Sequence, residues 1–128
     1  MKVPERQLQA SEANEARGVN QAIFDRDHLR QYTGGDAALE RELLGLFLGH
    51  FGPVRSQLDA ALSAQDWKFA AHTLKGSARS IGAPHVAALA EKLEIMGFSA
   101  PGKRKKRTLD ALDAALAAFA DEVKKAVG

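Results

Sequence analysis

The chain of 128 residues contains no cysteine. Neither a disulfide framework nor a thiolate metal site can form, which suits a reducing compartment, and a cytoplasmic protein is expected. No stretch approaches the roughly 18 consecutive apolar residues of a membrane span, and residues 1–20 lack the apolar core of a secretory signal. Aromatic residues make up only 6%, with one tryptophan and one tyrosine, while alanine and leucine dominate a hydrophobic content of 45%. That balance favours helices over strands. Charge is also nearly balanced, at +2 from 18 basic and 16 acidic residues, and a pI near 9.0 owes much to the single run Lys103–Arg107. There is no glycine-rich phosphate loop or other nucleotide motif, so intrinsic kinase activity is not expected. His28, His50, His72 and His85 lie in separate segments with no pair one helical turn apart, and no metal site is expected.

What is present is a set of apolar periodicities at steps of three and four. Residues 1–20 are polar and are expected to be a loose or partly helical tail before one domain over residues 21–128. Asp25 is placed to cap a short helix to about Tyr32 that offers Ile23, Phe24 and Leu29 to a core. Gly34-Gly35 ends it, and Asp36 caps a helix carrying Leu39, Leu43, Phe47, Phe51, Val54, Leu58 and Leu62. Pro53 is expected to kink that helix or split it after Gly52. Ala64-Gln65-Asp66 reads as a turn, with Asp66 capping the next helix and Gly82 closing it. Pro84 opens a helix with Val86, Leu89, Leu93 and Met96 on one face. After a loop from Gly97 to Gly102, a last helix is predicted from about Lys105 to Ala126. The fold class expected is all-α, an antiparallel four-helix bundle with a short additional N-terminal helix.

The stretch Ala71–Ala83 carries the most information. At about 100° per residue, Trp67, Ala70, Ala71, Leu74, Ala78 and Ile81 fall on one side. His72 points away from that stripe and shares its face with Lys68, Lys75, Gly76 and Arg79, a basic, solvent-facing strip with one imidazole in it. A lone histidine is usually an ordinary surface or core residue, but here the phase excludes the core. Gly76 costs helix stability of about 1 kcal/mol relative to alanine. Close approach of another molecule would account for a glycine there. Ser77 points back toward the bundle.

His72-Thr73-Leu74-Lys75-Gly76-Ser77-Ala78 followed by Ile81-Gly82-Ala83 resembles the signature of histidine-containing phosphotransfer (HPt) domains. Gly34-Gly35-Asp36, Leu39, Glu42-Leu43-Leu44 and Phe47-Leu48 resemble the family's first core helix, and Leu89-Ala90 with Leu93-Glu94 the helix after the histidine. The likeness covers roughly residues 22–98 and, less specifically, the last helix. It implies a stand-alone relay protein whose His72 is the phosphoacceptor, exchanging a phosphoryl group with aspartates of response-regulator receiver domains or a hybrid histidine kinase. It implies no intrinsic cofactor, since the receiver brings its own Mg2+. A monomer that binds neither membrane nor nucleic acid is expected. Lys75 and Arg79 would offset charge on the phosphoryl oxygens, and a cation beside the ring disfavours a second positive charge on it. Lys68, Gly76 and Glu94 would form the partner-docking face. Glu94 could also hydrogen-bond the imidazole, although a carboxylate there would repel a phosphate.

Two other readings compete. The run Lys103-Arg104-Lys105-Lys106-Arg107 could contact a nucleic-acid backbone, but no aromatic residue is interleaved with it, and such runs are more often solvated helix starts. An adaptor with the HPt fold and no transfer chemistry is the second alternative, against which His72, Lys75 and Gly76 all stand intact.

Overall fold

The computed structural model describes residues 22–127, all of them helix or connecting turn, with no strand among the described residues. The tail expected over residues 1–20 lies outside them. Five helices follow one another: α1 (Arg26–Thr33), α2 (Ala37–Ala60), α3 (Ala64–Ile81), α4 (Pro84–Met96) and α5 (Gly102–Val127). Helices α2 to α5 pack in a ring, each against the next and α5 back against α2, while α1 lies on α2 and α3. Short connections between packed neighbours make this an antiparallel bundle. No described helix is long and apolar enough to cross a membrane.

Local chemistry sets the boundaries. The Asp25 carboxylate accepts from the His28 backbone N–H at 3.1 Å, and α1 stops at Gly34, whose φ of 63° is a left-handed conformation. Asp36 accepts from the backbone of Ala38 and Leu39 and starts α2. Of the two outcomes expected at Pro53, the split after Gly52 does not occur: α2 runs unbroken through it. Pro53 and Gly49 are both exposed, so solvent can reach the carbonyl that a proline four residues later leaves without a donor.

Three further expectations are corrected. The cap of α3 is Ser63, whose Oγ accepts from the Asp66 backbone at 3.1 Å, so Ala64-Gln65-Asp66 is the first helical turn and Asp66 only its acidic third residue. Leu62 falls between α2 and α3 and is 88% exposed, not part of the core. Helix α5 starts at Gly102, which puts the whole basic run 103–107 inside its first turns.

The core holds the predicted stripe of α3 without exception, with Trp67, Ala70, Ala71, Leu74, Ala78 and Ile81 all buried. Phe119 of α5 meets Phe24 and Phe47 edge-on at centroid distances of 5.4 and 5.5 Å. The Trp67 indole N–H donates to the Leu93 carbonyl at 2.8 Å, which ties α3 to the end of α4. On α2, Leu44 rather than Leu43 is fully buried, and Glu40 is buried with it. Arg26 and Arg30 of α1 both pair with Glu40, and Arg26 also donates to the Ala126 carbonyl at 3.1 Å. A buried carboxylate without partners would be costly, so this cluster accounts for α1 lying where it does.

Candidate functional site

The stripe that buries one side of α3 necessarily turns the other outward. The His72 side chain is 68% exposed in the third turn of the helix. Its Nδ1 lies 2.9 Å from Glu94 Oε2 on α4. The other oxygen of the same carboxylate accepts from Lys75 Nζ at 2.5 Å. One carboxylate thus bridges the imidazole and the ammonium one turn further along α3.

The hydrogen bond from Lys75 is the chief cause holding the Glu94 carboxyl below its ordinary value, with the His72 contact adding to it against partial burial. Glu94 is therefore ionised at neutral pH. An ionised carboxylate can only accept hydrogen bonds, so Nδ1 carries the proton. In the neutral ring this leaves the lone pair on Nε2, the nitrogen not engaged by Glu94.

The remaining predicted residues fall around this pair. Lys68 is exposed one turn before His72 and lines a surface hollow with Gln65, Phe69 and His72. Gly76 is exposed one turn after it, and a Cβ added there would meet open space. Arg79 pairs with Glu91 of α4 at 3.5 Å, a long and solvent-exposed contact. Ser77 is half-buried and lines a larger apolar hollow formed with Leu29, Tyr32, Leu46, Phe47 and Ile81, on a side of α3 away from His72.

The basic run does not behave as one patch. Lys105 is half-buried, donates to the Phe98 carbonyl at 2.7 Å and sits over the Phe98 and Trp67 rings at 4.7 and 5.2 Å. Lys103, Arg104, Lys106 and Arg107 face solvent. Sequence reasoning passed over Phe69. Its only signal was its phase, an aromatic residue set well off the apolar stripe yet within one turn of His72.

A family model described as Hpt domain matches residues 42–126, well over half of the chain. The match begins inside α2 and takes in all of α5 but its last residue, so it covers the last helix, where the likeness read from the sequence was less specific. No curated protein and no solved structure matches the chain.

Proposed function

The chain belongs to the Hpt domain family, and on that premise we propose that it relays a phosphoryl group between receiver-domain aspartates and His72. Hpt domains serve phosphotransfer in phosphorelays, where they work with receiver domains and kinases. The observation that carries the assignment to His72 is the exposed imidazole whose Nδ1 is taken by Glu94. That contact leaves Nε2 as the free nucleophile.

The step follows from the geometry. The Nε2 lone pair attacks the phosphorus of an aspartyl phosphate, and an N–P bond forms as the bond from phosphorus to the aspartyl oxygen breaks. The electron pair leaves with the carboxylate of the partner. No proton moves: Nδ1–H stays in its hydrogen bond to Glu94, and the ring takes up the positive charge. Glu94 thus acts on the cationic ring from the side opposite the phosphoryl group, which answers the objection that a carboxylate here would repel phosphate. The reverse step returns the group to a second aspartate. Mg2+ is brought by the receiver.

Lys75 gives one of three N–H donors to Glu94 and keeps two for phosphoryl oxygens. Ion pairs as exposed as Arg79–Glu91 are worth little, so the Arg79 guanidinium can turn to the same oxygens. Gly76 leaves room for the partner's loops.

Incubation of the purified chain with phosphorylated receiver domains and Mg2+ tests the reading. The wild type should take up acid-labile, base-stable label, and His72→Gln should take up none. Label persisting in His72→Gln would place the chemistry elsewhere. An unlabelled wild type with every receiver in a broad panel would favour an adaptor.

A further inference from the structure

Among the described residues five large apolar side chains are exposed: Tyr32, Leu46, Leu62, Phe69 and Ile95. Phe69 differs from the others in sharing a hollow with His72. It is 66% exposed although its neighbours Trp67 and Ala70 are buried at 3% and 0%. On the other side of its ring a second hollow opens, lined by Gln57, Ala60, Ala61, Gln65 and Asp66. The ring therefore stands as a knob between two depressions. It fills no place in the core.

We infer that Phe69 is the apolar anchor for the receiver domain, seated in a recess beside the partner's phosphorylated aspartate and setting how tightly that partner docks. The inference rests on the relay function proposed above. For transfer, the phosphorus must come within about 3–3.5 Å of His72 Nε2. Side chains three residues apart on a helix have Cβ atoms about 5–6 Å apart. No domain-sized partner can reach the imidazole without covering Phe69.

The surroundings of His72 also give the partner an orientation. Phe69 and Gly76, three before and four after His72, lie on the flank facing α2, as the second hollow shows for Phe69. Lys68 and Lys75 lie on the flank facing α4, where Glu94 binds Lys75. A knob and an open position run along one side of the imidazole, and cations along the other. The surface that fits is acidic at the phosphoaspartate, with an apolar recess displaced toward α2. Buried aromatic anchors near the centre of an interface carry a large share of its affinity.

The test is the initial rate of His72 labelling as a function of receiver concentration, using the phosphorylated receiver that labels the wild type fastest. Phe69→Ala should raise the half-saturating concentration about tenfold, the cost of losing one anchor, with the limiting rate within about twofold of wild type. Phe69→Leu should recover part of the affinity. The thermal midpoint of Phe69→Ala should stay close to that of the wild type, since an exposed ring contributes little to folding. Superimposable titrations for wild type and Phe69→Ala would overturn the anchor while leaving the relay function standing. A fall confined to the limiting rate would do the same. Failure of every receiver to label even the wild type would instead remove the relay function, and the anchor with it.

Discussion

Replacement of Glu94 separates what its carboxylate does for the ring from what its charge does to the phosphoryl group. The Glu94–His72 hydrogen bond is 2.9 Å long. Hydrogen bonds to a charged group are worth about 1.5–3 kcal/mol, but the imidazole is 68% exposed, and solvent screening brings this one to about 1 kcal/mol. Each 1.36 kcal/mol is tenfold in rate, so loss of the bond should slow transfer about fivefold. Glu94→Ala is expected to label at about one fifth of the wild-type rate, because the ring then samples orientations that turn Nε2 away from the donor. Glu94→Gln keeps a side-chain carbonyl that can accept from Nδ1–H, and its rate should stay within about twofold. Single-turnover labelling from a saturating phosphorylated receiver gives both numbers. If Glu94→Ala transfers as fast as wild type, or faster, repulsion between carboxylate and phosphate outweighs orientation and the role given to Glu94 is wrong.

Other substitutions test the frame around the site. Gly76→Ala should raise the thermal midpoint by several degrees, since the added methyl meets open space and helix propensity gains up to about 1 kcal/mol, while Gly76→Gln should slow transfer strongly; a wild-type rate for Gly76→Gln removes the close-approach argument. Gly82→Ala should lower the midpoint by about 10 °C or more, because φ is 87° and the new Cβ would run into the Asp25 carbonyl oxygen; a calorimetric midpoint near that of the wild type refutes it. Glutamine at Lys103, Arg104, Lys106 and Arg107 together should leave transfer within a few-fold, whereas Lys105→Gln alone should destabilise the fold by about 1–2 kcal/mol through its lost carbonyl and ring contacts, read by denaturant melts of the Trp67 fluorescence. The Glu94 carboxyl is held below its unperturbed value of 4.5, so the stability it contributes is complete above that pH and lost as pH falls through the lower folded value. Thermal melts should show the wild type more stable than Glu94→Gln at pH 6, with the gap narrowing as the pH falls below 4.5; a gap that persists or widens in acid contradicts the sign.

The stripe of α3 was legible because six apolar positions kept the helical period for four turns, and that alone fixed His72 on the outside. The start of the same helix was not. Ser63 and Asp66 are both good caps, and Leu62 looked like a continuation of the α2 stripe, which drew the turn too far along the chain. In the structure Leu62 is left in water and Ser63 takes the cap. The glycines and proline from Gly97 to Gly102 read as loop and put the start of α5 near Lys105, whereas the helix begins at Gly102 although five basic residues are a poor match to a helix N-terminus. The fold relieves part of that conflict by tying Lys105 to the Phe98 carbonyl and two rings. Glu40 could not be read at all. Its burial depends on Arg26 and Arg30 arriving from α1, an arrangement that exists only once the helices have packed.

The relation between His72 and Glu94 belongs to two helices, and the turn between them is what fixes it. Gly82 lies ten residues after His72 and twelve before Glu94. At 1.5 Å per residue the two sit roughly 15 and 18 Å from that turn, at nearly the same height on antiparallel helices. Only a very short connection preserves this match, and Gly82-Ala83 supplies it. The left-handed Gly82 donates its N–H back to α3, and its carbonyl accepts from Asp25 at 2.7 Å, so the segment leading into α1 holds the turn in place. Ala71, Ala78, Ala87 and Ala90 are all at most 4% exposed, and small residues between α3 and α4 let the two axes approach closely. That approach lets one glutamate side chain reach both His72 and Lys75. A larger residue at Ala87 or Ala90 would therefore weaken transfer without touching any group that meets the phosphate.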